Sequence, residues 1–200
     1  MSEPQGENFY VLLKDYYSSI QLPKLNLGSG IDYRQDYVNV DIHPAARLIY
    51  QNFYVEEVDV IADLNHGFPF RDGVFHEVLA RQVLEHLKDV DRVIIESNRV
   101  LRNGGILQGV VPYFKSDGAY RLAHRALFCE FDVVSLAKYG FEVISVERRS
   151  PLRLPFKRFL DLFLWNIYRT IEFRFRKTRS PLPFGTLRTI VKDITHQPME

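Results

Sequence analysis

The chain has 200 residues, 46% of them apolar and 26% charged, with a net charge of +1. That is enough chain for one sizeable core, and it excludes a disordered or collagen-like polymer. The single cysteine, Cys129, excludes an intrachain disulfide framework and fits a reducing, cytoplasmic setting. The polar, acidic N-terminus lacks a signal-peptide core, and no run reaches the roughly 18–20 apolar residues of a membrane span.

Residues 8–20 predict a short amphipathic helix, so that 1–22 form a helical cap ended by Pro23. Residues 25–27 predict a short strand running into Gly28-Ser29-Gly30, and residues 37–42 a second strand carrying Asp41 eleven positions after Gly30. In an α/β sheet this pairing holds a nucleoside. The glycines let the backbone approach the ligand, and the acid accepts hydrogen bonds from ribose hydroxyls. Residues 59–61 read as a third strand with Asp63 at its C-terminal end, 68–73 as a turn-rich connection and 74–80 as a fourth strand.

Residues 89–102 predict a helix, because Val90, Val93, Ile94, Ser97, Val100 and Leu101 share one face. Asn103-Gly104-Gly105 is expected to stop it. A strand over 106–111 ends at Pro112. A helix over 129–139, capped by Gly140, leads into a strand over 141–147. Alternating strands and helices give an α/β fold with a mainly parallel sheet and helices on both faces. Gly28–Gly30, Asp41, Asp63, residues 81–86 and residues 112–115 then all fall at strand C-terminal ends, where ligands of such sheets bind.

The last quarter is basic. Between Arg148 and Lys192 the net charge is +10, leaving −9 for the rest. Residues 156–176 read as a wide-faced apolar helix with a polar stripe at Arg158, Asp161, Arg169, Glu172 and Arg176. Three roles stay open for it: a core or homodimer-interface helix, a lid over an apolar acceptor, or a membrane-surface helix at the inner membrane face. Residues 186–194 are expected to form the final strand beside 141–147.

The segments LNLGSG (25–30), VDI (40–42), ADLNHGFPFRDGVFHEVLARQVLEHL (62–87), NRVLRNGGIL (98–107) and VVPY (110–113) resemble class I S-adenosylmethionine-dependent methyltransferases. The small "type 11" enzymes and their relatives in bacterial cell-surface glycan clusters are the nearest in pattern. The resemblance covers 24–147 and implies one methyltransferase domain over 1–200, with a cofactor-binding core at 24–147. Its fold is a Rossmann-like, doubly wound, mainly parallel seven-stranded sheet with an antiparallel last strand. The implied cofactor is S-adenosyl-L-methionine, with Leu27, Gly28, Ser29 and Gly30 cradling its methionine and ribose, and with Asn26, where an acid is usual, orienting that loop by hydrogen bonding. Asp41 and Ile42 would lie at the ribose, Asp63 and Leu64 at the adenine, and Arg81 and Gln82 at the methionine end. Two departures stand out: Asp32 occupies the third glycine position, and the path from Gly30 to Asp41 leaves room only for a loop or single turn.

Methyl transfer to a hydroxyl needs alignment and proton removal, and histidine suits the latter at neutral pH. His86 and His124 are the candidate bases; His43 and His66 read as loop histidines. Tyr113, Lys115, Tyr120, Arg121 and Arg125 are expected to face a small-molecule or glycan-like acceptor. No histidine pair has metal-site spacing in sequence, so no metal is expected. No Asn/Asp-Pro-Pro-Tyr motif for a flipped base follows the fourth strand, so no nucleic-acid partner is expected. The leading reading is methyl transfer to oxygen or nitrogen. The alternative is a catalytically silent nucleoside-binding module acting as a partner subunit.

Overall fold

A computed structural model describes residues 23–43, 47–48, 53–54, 58–153 and 155–178. The helix expected over 8–20 and the strand expected over 186–194 lie outside them. The seven-stranded sheet is built from β1 (Lys24–Leu27), β2 (Val38–Asp41), β5 (Val60–Ile61), β6 (Phe75–Arg81), β7 (Leu101–Pro112), β8 (Phe141–Arg149) and β9 (Thr170–Lys177). A two-stranded hairpin, β3 (Arg47–Leu48) with β4 (Phe53–Tyr54), lies between β2 and β5 in the chain. The order in the large sheet is β5-β2-β1-β6-β7-β9-β8. Only β9 runs against its neighbours. The strand order reverses across β1 and β6, so the C-terminal ends of the parallel strands open a crevice there.

One sheet face is apolar through strand alternation: Leu25 and Leu27, Val38 and Val40, Val78 and Ala80, and Ile171, Phe173 and Phe175 are all buried. Helix α1 (Val90–Val100) buries Val93, Ile94, Ser97 and Val100, and the Asp89 carboxylate caps it by accepting from the Arg92 amide at 3.0 Å. It packs beside the chain leaving α2 (Glu130–Ser135), where Asn98 Nδ2 donates to the Gly140 carbonyl at 3.0 Å. Among the described residues, both helical crossovers therefore lie on the same side. The other face carries Gln108, Glu172 and Arg174 in a polar groove. No described helix is long and apolar enough to cross a membrane.

Three expectations need correction. Helix α1 ends at Val100, not at residue 102, and β7 begins at Leu101. Asn103-Gly104-Gly105 is not a helix stop. Phe75 pairs with Leu101 and Glu77 with Ile106, so residues 102–105 bulge out of the strand. Gly105 is needed there, because a Cβ would sit 2.9 Å from the Arg102 carbonyl oxygen. The helix expected over 129–139 is α to Ser135, then 3-10 through Leu136–Tyr139, with Gly140 at φ +92°.

The third correction is larger. Residues 156–176 do not form one helix. Helix α3 covers only Lys157–Phe163, and Thr170–Lys177 is strand β9, inserted between β7 and β8. In β9, Ile171, Phe173 and Phe175 are buried while Glu172, Arg174 and Arg176 point to the other face. Arg174 decides the period: it would break a helical apolar face but continues the strand alternation. Asp161, read as part of the polar stripe, is 5% exposed.

Candidate active site

The turn after β1 is forced. Gly28 and Gly30 have φ of +57° and +47°. A Cβ on Gly28 would lie 2.3 Å from Val83 Cγ2, whereas one on Gly30 would meet only the Gly28 carbonyl oxygen at 3.8 Å. The first glycine is thus fixed by packing, and the second borders open space. Asp41 holds the turn from the next strand: its Oδ2 accepts from the Gly30 amide at 2.9 Å, and its Oδ1 accepts from the His43 amide at 3.0 Å. The Ser29 hydroxyl is buried and has no partner. Asp32 closes the turn by donating its amide to the Ser29 carbonyl at 2.6 Å, and its carboxylate meets Arg34 at 3.1 Å and Arg81 at 3.8 Å.

No α-helix joins β1 to β2. Asn39 takes over the job of shaping that crossover. Its Nδ2 donates to the carbonyls of Arg34 and Tyr37, and its Oδ1 accepts from the Arg34 amide and from Asn26 Nδ2. A buried side-chain network therefore holds residues 31–37 over the sheet. At the end of β5, the Asp63 Oδ1 accepts from the Asn65 amide at 2.9 Å, and Oδ2 pairs with His66 at 2.9 Å. The Asn65 hydrogen bonds hold the Asp63 carboxyl below its usual pKa. Leu64 is buried and Ile42 is exposed.

The chain leaves β6 sharply: Gln82 takes φ +53° and donates its amide to the Val110 carbonyl at 2.8 Å. Val83 then packs on Gly28, and a 3-10 turn spans Leu84–His86. Glu85 is fully buried and neither carboxylate oxygen has a partner. Burial pushes its pKa up to about 7. Its carbonyl accepts from the amides of Arg125 (2.6 Å) and Ala126 (3.3 Å), which draws residues 121–126 back over the turn. His124 thereby meets His86 edge to face, with ring centres 4.6 Å apart. Nδ1 of His86 lies 3.3 Å from the Ala123 carbonyl, and Nδ1 of His124 lies 3.2 Å from that of Ala119. A carbonyl only accepts, so Nδ1 carries a proton in each ring, and in the neutral form of either ring Nε2 is the acceptor. Burial, followed by the neighbouring His86, lowers the His124 pKa and keeps that ring neutral.

The residues expected at the acceptor divide. Tyr113 is buried, and its hydroxyl donates to Asp161 Oδ2 at 2.8 Å. Lys115 donates to the Asp161 backbone carbonyl. Arg148 completes this anchor, contacting Asp161 at 2.7 Å and Glu130 at 2.6 Å, with its guanidinium 4.4 Å from the centre of the Tyr168 ring. Tyr113 and Lys115 thus tie α3 to the body of the domain. Tyr120, Arg121 and Arg125 are exposed, and Tyr120 stacks against Trp165 at 5.7 Å.

Residues 25–108 match the family model described as a methyltransferase domain. Among curated proteins none matches. Among solved structures, the [4+2]-cyclase SpnF shares the fold at a TM-score of 0.57, with 17% identity over 84% of this chain and 81% of that one. A SAM-dependent methyltransferase from Methanosarcina mazei does so at 0.55, with 15% identity over 84% and 98%. Over residues 25–108 the chain is similar in sequence to a methyltransferase domain, and its fold is that of S-adenosylmethionine-dependent methyltransferases.

For a methyltransferase the site's fit to that cofactor can be tested on its own atoms. An orphaned hydroxyl at Ser29, open space above Gly30 and a carboxylate at the end of β2 are what a nucleoside with hydroxyls to bond requires. The topology brings Gly28, Ser29, Gly30, Asp41, Ile42, Asp63, Leu64 and Gln82 to one edge of the sheet. Asn26 supports the turn from beneath, donating to the Asp32 carbonyl at 2.7 Å. Arg81 turns toward Asp32. Sequence reasoning passed over Glu85, whose one signal is a carboxylate directly after the apolar pair Val83-Leu84. Sequence spacing alone offers no histidine pair with the partners of a metal site. In space, Glu85, His86 and His124 each offer a ligand atom within 4.8 Å of the other two.

Proposed function

We propose that this protein moves a methyl group from S-adenosylmethionine to a hydroxyl oxygen of a small-molecule or glycan-like acceptor, activated at the His86–His124 pair. The observation that carries the reading is that pair: two imidazoles packed edge to face, each with Nδ1 on a backbone carbonyl, at the turn whose Val83 touches Gly28. The cofactor supplies a methyl on a sulfonium, already a good leaving group. The protein has to bind it, aim the acceptor and take charge of a proton. Gly28–Gly30 and Asp41 hold the nucleoside end. Arg121 and Arg125 give a polar, anion-tolerant wall on the acceptor side.

His86→Ala and His124→Ala are each expected to slow single turnover about 100-fold or more, within the range for general acid–base help, with S-adenosylhomocysteine affinity unchanged. Full single-turnover rates in both variants would refute a role for the pair. The alternative is the silent nucleoside-binding module: the fold is shared with a protein described as a [4+2]-cyclase, so the fold alone does not make methyl transfer the reaction. Production of S-adenosylhomocysteine dependent on an acceptor separates the two.

We also propose that α3 and its flanks rest on an anionic membrane surface. Phe156, Phe159, Leu162, Phe163 and Trp165 are all more than half exposed, and Arg153, Lys157 and Arg158 stand among them. Aromatic and leucine side chains beside cations suit the interface between lipid and water. The protein is expected to float with vesicles containing phosphatidylserine at low salt, and Phe159→Ser/Phe163→Ser to lose that flotation. Absence of wild-type flotation would refute the contact.

A further inference from the structure

We propose that Glu85, His86 and His124 form a site for a divalent first-row transition cation such as zinc or manganese, placed to hold an acceptor oxygen beside the cofactor turn. This rests on the reading that the acceptor is activated at these histidines, and it supplies the means.

Four observations carry it. Each residue offers one ligand atom within 4.8 Å of the other two. Ligands bound at about 2.1 Å in a tetrahedral site lie roughly 3.4 Å apart, so a cation would draw the three side chains slightly closer than they stand here. Second, Glu85 is 0% exposed, yet both its oxygens lack a hydrogen-bond partner. A buried carboxylate is normally paired or bound to metal. The Arg121 guanidinium acts on this carboxylate only through space and makes no hydrogen bond to it, so both oxygens keep their lone pairs for a ligand. Third, both rings already have the outer contacts of metal-binding histidines: each Nδ1–H donates to a backbone carbonyl, fixing the tautomer and freeing Nε2. Fourth, the frame is held, since the Glu85 carbonyl accepts the amides of Arg125 and Ala126.

Two imidazole nitrogens and one carboxylate oxygen are a borderline donor set, suited to zinc, manganese, iron or cobalt. Three protein ligands leave positions open, and exposed His86 puts the open side toward solvent. An acceptor hydroxyl bound there would lose its proton more readily to solvent water on that open side, with His86 and His124 holding the cation rather than taking the proton themselves.

The test uses the full chain stripped by a chelator, titrated calorimetrically with Zn2+ and Mn2+ and followed with Co2+ by visible absorption. Glu85→Gln and His124→Ala are treated identically, with thermal unfolding of each metal-free variant to establish its fold. S-adenosylhomocysteine affinity is measured in parallel. One equivalent is expected to bind the wild type and to bind each variant at least tenfold more weakly, with S-adenosylhomocysteine affinity unchanged throughout. No saturable binding to the wild type, or binding equally strong in both variants, would overturn the site. Loss of wild-type S-adenosylhomocysteine binding would instead strike the proposed function and leave the cation site standing.

Discussion

Gly28→Ala is expected to weaken S-adenosylhomocysteine binding on the order of 100-fold and to destabilise the domain by about 2–4 kcal/mol. Two effects add. The new Cβ would lie 2.3 Å from Val83 Cγ2 and 2.9 Å from Val83 Cβ, and the backbone at φ +57° strains any L side chain. The turn must move or Val83 must yield, and Val83 leads directly into the Glu85–His86 turn. Adding Val83→Ala removes the two methyl groups but leaves the Cβ contact and the φ strain, so partial recovery is expected. The double variant then separates steric displacement from strain. Gly30→Ala tests the other glycine: its Cβ meets no packed atom, so stability should fall only by the φ strain, while affinity should suffer because the Cβ enters the open space. Calorimetric titration and urea denaturation read both quantities. Equal loss of stability in the two single variants would contradict this division of labour.

The second large effect is expected at Arg148. Its guanidinium bridges Glu130 at 2.6 Å and Asp161 at 2.7 Å, and its face lies near the rings of Tyr113 and Tyr168. Arg148→Ala leaves the Asp161 carboxylate buried without its cation, at a cost of about 3–5 kcal/mol. Arg148→Ala/Asp161→Asn removes that stranded charge, so the double variant is expected to be more stable than Arg148→Ala alone. Urea denaturation of the four proteins completes the cycle. Additive losses would mean that the ion pair is not what holds α3. Because Tyr113 and Lys115 join the same anchor from the end of β7, weakening it should also loosen the acceptor side, seen as a higher KM with cofactor affinity unchanged.

The parallel core was legible because its signals are local. Leu25–Gly30, Val40–Asp41 and the Asp89-capped helix each carry a period and a terminator in adjacent residues. The helix read over 156–176 failed because Glu172 and Arg176 satisfy a helical stripe as well as a strand alternation. Only Arg174 separates the two, and the strand is rewarded by pairing with β7 and β8, which local pattern does not report. Tyr113 looked like an acceptor group for a similar reason: nothing near it in sequence announces Asp161, 48 positions on. The site shows the same limit. Gly28, Gly30 and Asp41 were readable as a motif, whereas Glu85 and His124 meet through backbone hydrogen bonds between residues about forty positions apart.

The central claim is that the edge formed by Gly28–Gly30, Asp41 and Asp63 binds the nucleoside of S-adenosylmethionine. Calorimetric titration of the full chain with S-adenosylhomocysteine, on the wild type and on Asp41→Ala, tests it most directly. The account predicts one equivalent bound with Kd on the order of 1–100 μM, and at least tenfold weaker binding when the Asp41 carboxylate is removed. No binding by a folded wild type, or identical affinity in the two proteins, would contradict it.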